Sequence, residues 1–206
     1  MKNKTISFTV ALLVTVLFGC YPAGPEYVEE LDVTYSNFDK NFDFVSRGTY
    51  SMPDKVVKIT GDPSKPPEYL KDLYGVPILA QIDKNMQALG WTKVTANTTE
   101  DIQLMPASVS STTTIIYGGY GGYYCWYYPY YCGGYGWYYP YTYTSSYTTG
   151  TLVMTMTDPK KESADGSKRA AWTSAINGVL SGTSDITRIT NGIDQAFKQS
   201  PYLKTN

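Results

Sequence analysis

Three thiols are the residues of this chain best suited to covalent chemistry: Cys20, Cys125 and Cys132. Cys20 closes the run Leu17-Phe18-Gly19-Cys20, with an aliphatic residue, a bulkier residue than usual at −2, and a small residue directly before the thiol. The run resembles a bacterial lipobox, which implies cleavage before Cys20 and acylation of its thiol and amine. Residues 6–18 are apolar apart from Ser7, Thr9 and Thr15, and Lys2 and Lys4 precede them. That stretch is too short for a spanning helix, which needs roughly 20 residues. It has the length of the hydrophobic region of a secretory signal. Several acyl chains on one Cys anchor a protein stably, where one alone is marginal. Tyr21 follows, not the Asp that retains lipoproteins at the inner membrane. The expected address is therefore the outer membrane of a cell envelope, with the periplasmic or surface face left open.

Cys125 and Cys132 bracket CWYYPYYC. Beyond an export signal, a close pair of thiols is expected to form a disulfide. Closing that loop removes about 2.5 kcal/mol of chain entropy from the open ensemble. A metal site built on the two is disfavoured, because the chain has no His and no further free Cys to complete it.

The absence of His also removes the commonest general base, so no Ser–His or Cys–His catalytic arrangement exists on this chain. Asp101, Asp158 and Asp165 are the candidate acids, but each also fits a strand end or a turn. No spacing forces two carboxylates together, and no Ser has a visible base. Asn37, Asp39, Asn41 and Asp43 offer spaced oxygen ligands, as a calcium loop would. Counted from Asp39, however, the sixth position is Phe44 and the twelfth is Tyr50, where an EF-hand needs Gly and Glu. The expectation is that Phe38, Phe42 and Phe44 enter the core, and that no metal, cofactor or catalytic residue is present. Without residues 1–19 the 17 basic residues lose Lys2 and Lys4 and the 18 acidic residues lose none, leaving a net charge of about −3. Nothing there attracts nucleic acid by counterion release.

Residues 1–19 are read as the signal, 20–27 as a tether and 28–203 as a single domain. Residues 28–35 alternate, with Leu31, Val33 and Tyr35 on the face expected to be buried. Residues 48–52 and 55–59 read as a strand broken at Pro53. Residues 68–74 suggest a short helix stopped at Gly75. A clearer one covers 77–89, with Pro77 at its first position, Gly90 at its C-terminal cap, and Ile78, Ile82, Asn85 or Met86, and Leu89 on one face. Residues 101–116 read as a long strand. Gly150 opens another, with Leu152, Met154 and Met156 on one face. Asp165-Gly166 signals a turn into a return strand over 169–176, where Trp172, Ser174 and Ile176 share a face. The loop 181–184 ends in an N-cap, and Asp185 then favours the positive end of a helix. Ile186, Ile189, Ile193 and Phe197 then recur at helical spacing as far as Pro201. The fold class is α+β: an antiparallel or mixed sheet with two main helices packed on it and a long Tyr/Gly-rich insert between two strands.

The order of DFVSRGTYSMPD, IDKNMQALGW, DIQL, GTLVMTMTDP, AAW and ITRITNGIDQAFKQSP resembles the domain-of-unknown-function 4136 family over residues 28–201. Trp172-Thr173-Ser174 departs from the W-[RK]-G usual in that family. The resemblance implies a bacterial envelope lipoprotein, many of whose relatives are from Bacteroidetes, and several members carry an aromatic insert at this place. It implies no reaction.

That insert is residues 117–147, in which fourteen of 31 residues are Tyr and seven are Gly. Three readings stay open: a flexible loop, because paired glycines raise the entropy cost of ordering; a surface for glycan, peptidoglycan or another envelope protein, through Trp126, Tyr127, Tyr128, Tyr131, Trp137, Tyr138 and Tyr139; or a hairpin extending its flanking strands. The leading functional expectation is a non-catalytic, lipid-anchored binding or structural module. The alternative is a carbohydrate- or peptidoglycan-binding module acting through these aromatic residues.

Overall fold

A computed structural model describes residues 33–59, 68–95, 99–109, 113–116, 137–138, 144–147, 150–162, 168–181 and 185–205. The strands are β1 (Thr34–Phe38), β2 (Thr49–Ser51), β3 (Val57–Ile59), β4 (Glu68–Tyr69), β5 (Thr92–Lys93), β6 (Ile102–Val109), β7 (Thr113–Ile116), β8 (Trp137–Tyr138), β9 (Thr144–Tyr147), β10 (Thr151–Glu162) and β11 (Lys168–Ile176). The helices are α1 (Asp72–Ala88) and α2 (Ile186–Lys198). The main sheet runs β1-β11-β10-β6-β2-β5, with β3, β4 and β8 attached off this path, while β7 and β9 pair with each other. β10 is antiparallel to both β6 and β11, whereas β2 and β3 run parallel to β6. The sheet is therefore mixed, and the fold is α+β.

The period-two rows locate the core. Leu152, Met154 and Met156 stand opposite Ile176, Ser174 and Trp172 on one side and Ser108, Pro106 and Leu104 on the other. Ile78, Ile82 and Met86 of α1 and Ile189, Ile193 and Phe197 of α2 pack on that face. Burying six such side chains contributes on the order of 10 kcal/mol. Met86, rather than Asn85, takes the inward position. Asn85 instead donates from Nδ2 to Asp194 Oδ1 at 2.7 Å, tying the helices together outside the core. Phe42 and Phe44 are in the core and Phe38 packs against it, as their alternation implied.

The two halves of the strand broken at Pro53 both pair with β6: Tyr50 and Ser51 with its start, Val57 to Ile59 with its end. Gly75 does not stop a helix. Residues 68–69 are strand β4, and α1 runs from Asp72 straight through Gly75 and Pro77. Pro77, inside the helix, has no N–H to donate to the carbonyl of Leu73, so one helical hydrogen bond is lost. The buried row Ile78, Ile82, Met86 outweighs that loss and the cost of a helical glycine. Gly90 does close α1: at φ 94° it lets Trp91 N–H reach Met86 O at 3.0 Å and Gly90 N–H reach Gln87 O at 3.0 Å, the paired bonds of a left-handed cap.

Three further expectations are corrected. Val33 and Tyr35 face outward, 58% and 44% exposed, because β1 is an edge strand whose Ser36 and Phe38 meet Ser174 and Trp172 on the core side. The strand expected over 101–116 divides after Val109, since β7 pairs with β9 and not with the main sheet. Asp185 itself, not the last residue of the loop 181–184, is the N-cap of α2, accepting from Thr187 N–H at 2.9 Å at the positive end where its charge was expected.

Candidate functional site

Cys20, Cys125, Cys132, Trp126, Tyr127, Tyr128, Tyr131, Tyr139 and Asp165 lie outside the described residues. The backbone of Trp137 and Tyr138 forms β8, in parallel register with Lys168 and Arg169. Two of the three candidate acids, Asp101 and Asp158, meet at one cation, although no spacing in the sequence forces them together. They bound the uncharged run 102–157. Because β6 and β10 are antiparallel, with Gln103 opposite Thr157, the residues at the two ends of that run become neighbours.

Both carboxylates contact Arg47, which the sequence reading did not single out: NH1 is 3.8 Å from Asp101 Oδ1 and NH2 is 3.5 Å from Asp158 Oδ2. Arg47 also lies over the Phe42 ring at 5.3 Å. Asp101 Oδ2 accepts from Gly48 N–H and Thr49 N–H, each at 3.1 Å, and from Thr49 Oγ1 at 2.9 Å. Its Oδ1 accepts from Lys160 Nζ at 3.0 Å. Burial alone would raise the Asp101 pKa, but the hydrogen bonds from Gly48, Lys160 and Thr49 outweigh it and hold the group at about 2. Asp158, fully buried, accepts from Lys160 N–H at 2.8 Å. Beside them Arg169 pairs with buried Asp39, whose N–H donates to Ala171 O at 2.9 Å. The network pairs three cations with three carboxylates and joins the loop before β2 to the ends of β6, β10 and β11. Arg47 lies in DFVSRGTYSMPD, and its one sequence signal was a cation near a strand end with acids at both ends of a distant uncharged run.

A second polar group is buried at this end of the sheet. Glu100 Oε1 accepts from Ser51 Oγ and from Gln103 Nε2, each at 3.0 Å, and Lys168 Nζ donates to Gln103 Oε1 at 3.2 Å. Elsewhere Tyr50 donates to Asp83 Oδ1 at 2.7 Å. Burial, then the hydrogen bond to Asp83 and the charge of that carboxylate, push the phenol well above its ordinary range. In chemical terms the charged cluster is a set of ions paired with one another, with Asp39 Oδ2 and Arg169 Nε buried and without a hydrogen-bond partner. An Asp101 held fully ionised is poorly matched to general-acid work.

A mixed sheet with two helices on one face, its charged groups engaged with one another at one end, defines an α+β scaffold. The chain belongs to the DUF4136 family, a domain of unknown function, whose sequence profile matches residues 34–202. A DUF4136-family protein from Bacteroides thetaiotaomicron is 30% identical in crystal structure, with a TM-score of 0.64 over 84% of this chain and 97% of that one. A PelC dodecamer from Paraburkholderia phytofirmans is 12% identical over 84% of this chain and 98% of that one, at a TM-score of 0.38. No curated protein matches the chain.

Proposed function

We propose that this protein is a non-catalytic lipoprotein of the bacterial cell envelope, a binding or structural module held at the outer membrane by lipid on Cys20. The observation that carries this reading is the Leu17-Phe18-Gly19-Cys20 boundary behind a basic start and a short apolar run. The engagement of Asp101 and Asp158 by Arg47 and Lys160 supports a scaffold over an enzyme. Radiolabelled palmitate is expected to enter the wild-type chain and not Cys20→Ala. Equal labelling of the two overturns the anchor.

The aromatic composition of residues 117–147 favours a second, narrower reading, in which the module binds carbohydrate or peptidoglycan. Tyr and Trp give large contact area at low rotamer cost. Retention on a glycan array that falls on replacing Trp126 and Trp137 by Ala supports it. Retention unaffected by those changes leaves the broader reading alone.

A further inference from the structure

The dipeptide Asn-Gly occurs at 177–178 and again at 191–192, and the fold treats the two differently. Asn191 and Gly192 lie inside α2, where each N–H belongs to the helical ladder. A Cβ on Gly192 would meet Ile176 Cγ2 at 2.8 Å, so this turn of the helix packs closely on β11. Asn177 and Gly178 stand instead in the turn at the exit of β11, and both are partly exposed. Gly178 takes φ 75°, a conformation open to a residue without a Cβ. Its N–H donates to no acceptor among the described residues. Its carbonyl is held, accepting from Ser181 N–H at 3.0 Å and from Arg188 Nη2 at 3.2 Å. The Asn177 side chain is held as well, since Thr151 Oγ1 donates to its Oδ1 at 3.0 Å.

These are the parts of a ring closure. The carboxamide carbon of asparagine is an electrophile, and the next backbone nitrogen can reach it to close a succinimide. Before glycine that nitrogen is unshielded by a side chain. A nitrogen that donates inside a helix must first break its bond, whereas that of Gly178 has none to break. The Thr151 hydroxyl points at the oxygen on which charge develops during attack. We propose that Asn177 is a self-modification site, converted in the folded chain to aspartate and isoaspartate without an enzyme. Gly178 N bonds to Asn177 Cγ, and the Cγ–Nδ2 bond breaks. The amide proton joins the departing nitrogen as ammonia, and water then opens the ring at either carbonyl. Water is the one co-reactant, and nothing is oxidised or reduced. Either product replaces a neutral amide by a carboxylate. Isoaspartate also lengthens the backbone by one carbon between two anchors, the Asn177 N–H bond to Val33 O at 3.0 Å and the carbonyl that Arg188 holds. An aged molecule therefore carries an added negative charge and a longer link where β11 turns toward α2. The inference does not depend on the lipid anchor.

Trypsin places the two sites in separate peptides, 170–188 and 189–198, so every molecule carries its own control. The full chain is held at mildly alkaline pH, folded or in urea, then digested at slightly acidic pH and analysed by mass spectrometry. In the folded chain, deamidated 170–188 is expected to accumulate about tenfold faster than deamidated 189–198, which waits on local opening of α2. In urea the two rates are expected to converge. Equal rates in the folded chain, or a lead for 189–198, overturn the proposal. A lead for 170–188 that persists undiminished in urea overturns it too, because the difference then belongs to the flanking residues and not to the fold.

Discussion

The indole Nε1–H of Trp172 donates to Ser200 Oγ at 3.0 Å, joining the last strand to the turn that follows the last helix. Trp91, at the exit of α1, makes the matching bond to Leu203 O at 2.7 Å. Two tryptophans from separate elements thus hold the same short C-terminal segment, and Thr205 N–H closes it on Leu89 O at 3.0 Å.

Trp172 is fully buried, with its ring 5.5 Å from that of Phe197. Trp172→Ala is expected to destabilise the domain by about 3–5 kcal/mol in urea denaturation. Trp172→Phe keeps most of the volume and loses the bond to Ser200, so its cost is expected to be smaller by about half. An unchanged midpoint for the alanine variant contradicts the core position.

Gly150 and Gly90 both have positive φ, at 85° and 94°. Any L-residue there carries a left-handed penalty of about 1–2 kcal/mol. The surroundings then separate the two sites. A Cβ on Gly90 meets the Thr205 hydroxyl at 2.3 Å, whereas a Cβ on Gly150 meets the backbone nitrogen of Ser181 at 2.6 Å. A side chain can move aside and the backbone here cannot. Gly150→Ala is expected to cost more than Gly90→Ala, and Thr205→Ala to recover part of the Gly90→Ala loss only. Equal thermal midpoints for the two glycine variants count against this account.

The Asp101 carboxyl lies at about 2 in the folded protein against an ordinary 3.8. Its pKa is depressed on folding, so its contribution is present above about 3.8 and is lost as pH falls toward 2. The group is partly exposed, which reduces the effect to on the order of 1 kcal/mol. Asp101→Asn is expected to flatten the acid limb of stability against pH between 4 and 2. An identical slope in wild type and variant removes Asp101 as the titrating group.

On the proposed reading, in which the chain is exported and Cys20 carries the lipid, Cys125 and Cys132 are expected to be bonded to each other. Pro129 between them favours a turn. Mass spectra of unreduced digests of envelope-derived protein should show the linked peptides. Two thiols alkylated without prior reduction exclude the bridge.

The strands that could be read directly were those with one face packed on the helices. Leu152, Met154 and Met156 alternate with small polar residues, and Trp172, Ser174 and Ile176 answer them across the hairpin. β1 misled because Val33 and Tyr35 are apolar residues on an edge strand, where hydropathy does not report the buried side. α1 was divided at Gly75 and Pro77 because local propensity was read without the buried row that offsets it. The charged cluster was only half visible. Its acids stand at the ends of an uncharged run, but which cation reaches them depends on a loop packed across the sheet from residues far away in sequence. The burial of Met105, Ala107 and Val153 was not legible, because a strand buried on both faces loses the apolar-polar alternation that marks one buried face.

The pairing of β1 with β11 places Ser36 beside Ser174, 138 positions later in the chain. Contacts this distant make folding slow, since the long loop must close before the pairing is rewarded. The first strand has no partner until the last has been made, and the C-terminal segment that the two tryptophans hold comes later still. During synthesis the strand β1 therefore waits as an unpaired edge until β11 has been made. The same topology leaves a chain truncated before Ser200 without the partner of Trp172, and exposed to aggregation for as long as it persists.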